Sequence, residues 1–105
     1  MGTTTDLDRP VDVLELAVVL QALADPVRLT ILAALAEHGE VRCGGMELPV
    51  TKSTASHHFR VLRDAGVIET RVEGKHRINS LRREELDECF PGLLDAVLEG
   101  TRVAS

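Results

Sequence analysis

The spacing of apolar residues changes at Gly66, and that change confines the chain to few architectures. Before it, the stretch from Ser53 to Ala65 reads as a helix. At about 100° per residue, Ala55, His58, Phe59, Leu62 and Ala65 fall on one side and Ser53, Ser56, His57, Arg60 and Asp64 on the other. After it, apolar and polar residues alternate through 67–72 and 77–80. These two runs flank Glu73-Gly74-Lys75, a tight connection in which glycine is available for positive φ. A helix with a short, polar, hydrogen-bonding face is thus followed at once by a β-hairpin carrying Arg71, Lys75, His76 and Arg77.

The flanking segments read as helices. Residues 11–24 hold only Glu15 and Gln21 as polar residues after Asp12. A helix apolar nearly all round must bury two sides, and in so short a chain the second side is expected against another subunit. Asp25-Pro26 supplies an N-cap residue ahead of a proline at the first helical position, and a helix follows over 26–37, with His38-Gly39 ending it. Residues 40–50, with Gly44, Gly45 and Pro49, allow at most a short helix over 45–48. Beyond the hairpin, 81–90 and 91–100 form either one helix kinked at Pro91 or two short ones. The expected fold is mostly α with a β-hairpin wing, a winged helix-turn-helix. Its domain spans 11–100, with a flexible arm at 1–10, a tail at 101–105, and homodimer contacts through 13–24 and 91–99.

Composition agrees with one small domain. In 105 residues there are two Phe and no Tyr or Trp, so the core must be built from Leu, Val, Ile and Ala. The net charge of −5 is unevenly placed: 51–77 carries +3 and the remainder −8. A phosphate backbone responds to the local patch rather than the total. There is no apolar run long enough to span a bilayer, and the N-terminus lacks the basic-then-apolar order of a secretory signal. A cytoplasmic location without membrane contact is expected, and with it thiols rather than a disulfide at Cys43 and Cys89. An enzyme would need a nucleophile with its base, a carboxylate pair or a phosphate loop. Gly44-Gly45 lacks the Lys-Ser/Thr of a phosphate loop, and no such set is implied elsewhere.

The strings 23–32 (LADPVRLTIL) and 53–68 (STASHHFRVLRDAGVI) resemble the ArsR family of bacterial repressors, and the likeness runs from about Val13 to Leu98. The resemblance implies a homodimer joined by its first and last helices, a recognition helix at 53–65, and release from DNA on sensing a ligand, often a metal ion. The residues expected at double-stranded DNA are Lys52, Ser53, Thr54, Ser56, His57, Arg60 and Arg63, joined from the wing by Arg71, Lys75 and Arg77. His58, on the apolar side, is expected to be a hydrogen-bonded, half-core residue. The sensing sites depart from the family: 41–45 holds one thiol rather than a Cys-x-Cys pair, and the last helix has no histidine. No metal site and no cofactor are therefore expected. The effector stays open between a thiol switch at Cys43, with Cys89 as partner, and no effector at all. The competing reading of the fold is a winged helix used for protein–protein contact, which would require an apolar recognition face.

Overall fold

The boundaries of most elements follow from local chemistry at their ends. In the computed structural model, which describes residues 13–42 and 44–104, α1 (Leu16–Leu23) stops at Ala24, and Asp25 then starts α2 (Pro26–His38). The Asp25 carboxylate accepts hydrogen bonds from the amides of Val27 (2.8 Å) and Arg28 (3.1 Å), and Pro26 needs no amide partner. The chain bends by 100° between the two helices. The third helix, α3 (Lys52–Asp64), ends in a paired-hydrogen-bond glycine stop. The Val67 amide bonds to the Leu62 carbonyl and the Gly66 amide to that of Arg63, with Gly66 at φ 84°. That stop aims the chain directly into β2 (Ile68–Glu73), the first strand of the expected hairpin.

The hairpin partner is β3 (His76–Leu81), joined to β2 through Gly74 and Lys75. Gly74 has φ 60°, which suits a two-residue turn with glycine first. A third strand was not expected: β1 (Glu40–Arg42) pairs antiparallel with the far edge of β3, giving the order β1-β3-β2. The short helix expected over 45–48 is absent. There the Gly45 amide bonds to the Arg42 carbonyl (2.8 Å) in a tight turn, and a Cβ on Gly45 would meet that oxygen at 2.9 Å. After the sheet come two separate helices, α4 (Arg83–Cys89) and α5 (Leu93–Ala104), with Phe90, Pro91 and Gly92 between them. α5 runs through Gly100, past the boundary expected at residue 100. The expected arm, residues 11 and 12, Cys43 and Ser105 lie outside the described residues; 13–15, expected within the first helix, are not helical, and α1 begins only at Leu16.

The core is aliphatic, as a chain with two Phe requires. Val19, Ile31, Leu32, Leu35, Leu62 and Val67 are fully enclosed, with Phe59 of α3 packed on the same cluster. It therefore joins α1, α2, α3 and the base of the hairpin into one unit, which fixes α3 and the wing relative to each other. No single helix among the described residues is long and apolar enough to cross a membrane.

Candidate nucleic-acid interface

α3 is held at its start by Thr51. The Thr51 hydroxyl oxygen accepts from the Thr54 amide at 3.2 Å, and the hydroxyl donates to Thr54 Oγ1 at 3.0 Å. With His58, Phe59 and Leu62 buried on one side, the opposite side of α3 is forced outward. Lys52, Ser53, Thr54, Ser56, His57 and Arg60 are all exposed there. Thr54 is engaged in the cap and Ser53 lies 3.4 Å from the same threonine hydroxyl. Ser56 and Arg60 make no side-chain hydrogen bond or ion pair among the described residues, so their donors stand open to a ligand. Arg63 is half-buried on the flank of the helix, its Nε shut off from solvent without a partner.

The wing presents its cations differently. Lys75 is exposed in the turn, and Arg77 is exposed on the face of β3 that also carries Asn79. Arg71 lies on the other face. Its guanidinium makes a two-pronged contact with Glu40 of β1 (2.5 and 3.2 Å) and a second with Glu73 (2.9 and 3.2 Å). The hydrogen bond from Arg71 holds the Glu40 carboxyl below its usual range, and Glu40 and then Glu73 raise the Arg71 guanidinium in turn. On the inner face the buried Thr70 hydroxyl donates to Asn79 Oδ1 (2.8 Å), while Asn79 Nδ2 donates to the Val41 carbonyl (3.2 Å). One fully enclosed amide thus ties all three strands.

Two positions that the sequence did not single out matter here. Arg28, in the first turn of α2, donates from Nε to the Ala22 carbonyl and from Nη2 to that of Gln21 (3.3 Å). Its Nη1 reaches His58 Nδ1 at 3.0 Å. Nearby Asp25 is held below 3.8. Desolvation opposes this shift, while the amides of Arg28 and Val27 and the Arg28 charge bring it about. His58 is 8% exposed and hydrogen-bonded, as expected, and its neighbour His57 faces out, with ring centroids 5.8 Å apart. A cation in the first turn opposes the helix dipole, and that misplacement was the available signal for Arg28. Asn79 gave none.

Among the described residues no three His, Cys, Asp or Glu side chains come together to hold a metal ion. Cys89 is an exposed thiol at the end of α4; Cys43 lies outside the described residues.

Residues 23–71 match a helix-turn-helix domain family, from the end of α1 into the wing. The chain is 37% identical over 84 residues to an uncharacterised HTH-type transcriptional regulator, YceK, of Bacillus subtilis, covering 77% of this chain and 84% of that one. It is 35% identical to the arsenical resistance operon repressor of Staphylococcus xylosus, covering 70% of this chain and 71% of that one. The chain belongs to the ArsR family of helix-turn-helix transcriptional regulators. The crystal structure of an ArsR-family transcriptional regulator superposes with a TM-score of 0.64 at 24% identity, covering 85% of this chain and 93% of that one, a likeness of fold. As a member of this family the chain is a DNA-binding regulator and not an enzyme. The helix-turn-helix match takes in Arg28, all of α3 and Arg71, and stops before Lys75 and Arg77.

Proposed function

We propose that this ArsR-family regulator is a cytoplasmic repressor that binds a palindromic operator in double-stranded DNA as a homodimer. α3 enters the major groove with Arg60 and His57 toward base edges and Lys52, Ser53, Thr54 and Ser56 close to bases or phosphates. Arg63 lies at its flank, and Lys75 and Arg77 reach the backbone from the wing. The carrying observation is the outward stripe of α3, where Ser56 and Arg60 keep their donors unpaired on a helix whose other side is locked into the core. Such a face is polar, which disfavours docking on an apolar protein surface.

Self-association rests on the ends of the chain. Val13, Leu16, Val18 and Leu20 are 39–71% exposed, and Leu20, Leu23, Leu29 and Val97 line an open apolar groove between α1, α2 and α5. A second copy covering this groove removes the exposure and brings two α3 helices into one twofold arrangement.

Light scattering at micromolar concentration, followed by gel shift and sequencing of bound genomic fragments, tests both halves. A dimer mass is expected, with bound fragments sharing an imperfect palindrome whose half-sites lie about one or two helical turns apart. A monomer, or no retained fragment at low salt, overturns the reading.

A further inference from the structure

Arg28 sits in the first turn of a helix, where a cation opposes the dipole, yet each of its three guanidinium nitrogens has a partner outside that helix. Two of its nitrogens fasten carbonyls in the last turn of α1, those of Ala22 and Gln21, the second of which also accepts from the Ala24 amide. The third holds the ring of His58, which projects from the buried side of α3. One planar fork thus joins the helix that carries the exposed apolar surface to the helix that carries the polar stripe.

The chemistry of the contact fixes the state of His58. Arginine is always charged and has donors only, so Nδ1 of His58 must accept. The imidazole is therefore neutral with its proton on Nε2. When the ring takes a second proton, Nδ1 becomes a donor facing a donor, and two positive charges meet at 3.0 Å. Of the charged and titratable groups beside it, Arg28 and Asp25 come from α2, the first opposing the proton and the second favouring it, and His57 comes from α3.

We propose that Arg28 is a positioning residue for DNA binding: it ties α1 to α3 through neutral His58, and protonation of His58 releases the tie and lowers DNA affinity. The proposal rests on α3 being the recognition helix. Acidification acts oppositely at exposed His57, where added charge strengthens attraction to phosphate, so the two histidines must be separated. His58→Asn does this, because the Asn amide oxygen falls where Nδ1 lies and accepts from Arg28 without titrating.

The test measures operator affinity of the full chain from about pH 8 to about pH 5.5, the range in which histidines commonly change charge. At the upper end His58→Asn should match the parent, while Arg28→Ala should bind about tenfold more weakly, as expected for a misplaced reading helix. Toward the lower end the parent should fall about tenfold behind His58→Asn, which Arg28→Ala should not do relative to its own starting value. Identical pH profiles for parent and His58→Asn overturn the proposal, as does parental affinity in Arg28→Ala. A DNA-independent arm is nitrogen NMR of the unbound protein. An unprotonated Nδ1 at high pH, and loss of the Arg28 side-chain resonance as His58 titrates, support the tie. A proton on Nδ1 of the neutral ring overturns it. If no duplex binds the parent, the DNA reading fails, and the NMR arm still decides the tie.

Discussion

Arg60 and Arg71 look alike in the sequence, each a basic residue on a polar stripe and followed by a valine. The structure treats them oppositely. Arg60 stands out from α3 with no hydrogen-bond or ion-pair partner among the described residues, on a helix pinned by Thr51 at one end and Gly66 at the other. Arg71 is clasped by Glu40 and Glu73 on the outer face of the sheet. α3 keeps the donors of Ser56 and Arg60 open among the described residues while its other side packs into the core, whereas the wing uses part of its charge to hold its own strands together. Sequence charge therefore overstates what Arg71 offers a ligand, because Glu40 and Glu73 already hold its guanidinium. For the same reason the +3 of residues 51–77 overstates what the wing offers a phosphate.

The largest effect should come from the wing's interior. Asn79→Val removes the acceptor of the buried Thr70 hydroxyl and the donor to Val41, leaving polar groups enclosed without partners. We expect a loss of about 2–3 kcal/mol in urea unfolding at fixed protein concentration. Replacing Thr70 by Val as well should recover part of that loss, because an apolar pair of similar shape leaves less unsatisfied. If Asn79→Val is as stable as the parent, the wing's rigidity does not come from this network, and the contrast with α3 loses its structural basis.

Next is Arg60→Ala. Its side chain is exposed and makes no hydrogen bond or ion pair among the described residues, so stability should change little while operator affinity falls by roughly 1–3 kcal/mol with relaxed preference at one base position. Fluorescence anisotropy on operator variants reads both quantities. A loss equal for all sequences makes Arg60 a phosphate contact, and base reading then passes to His57 and the serines.

How much of this was legible follows from the range of each signal. The stripe of α3, its glycine stop and the hairpin were readable because 3.6- and 2-residue periods are local and sit side by side. β1 was not: three residues, Glu-Val-Arg, carry too little pattern, and their strand character comes from pairing with β3 almost forty positions later. The expected helix at 45–48 is replaced by a turn in which the Gly45 amide bonds to the Arg42 carbonyl, a close approach that only glycine allows. His58 was placed correctly on the buried side, but its partner Arg28 lies thirty residues earlier, beyond any spacing rule. Asn79 read as one more polar wing residue, because burial of a polar group is decided by its partners and not by its own type.

The smallest effect sharpens the comparison most. Arg71 and Glu40 are each about half exposed (48% and 51%), so their ion pair contributes little to stability, and its consequence lies in DNA binding. If Glu40 and Glu73 occupy the guanidinium, Arg71→Ala should leave operator affinity and its salt dependence close to the parent's, whereas Lys75→Ala should lower the salt slope by about one unit. Glu40→Gln should then do what a wing deletion cannot: loosen Arg71, steepen the salt slope by up to about one unit and tighten binding to all sequences alike. The pH dependence has a definite sign. Arg71 depresses the Glu40 carboxyl below its ordinary 4.5, so the pair is fully formed above that value. It survives somewhat below it and is lost only as pH falls through the lowered value. Above about pH 5.5 Arg71 therefore stays clasped, and acidification to that value should not mimic Glu40→Gln. A salt slope reduced as much by Arg71→Ala as by Lys75→Ala would show that DNA draws the guanidinium away from both carboxylates. The wing would then behave as α3 does.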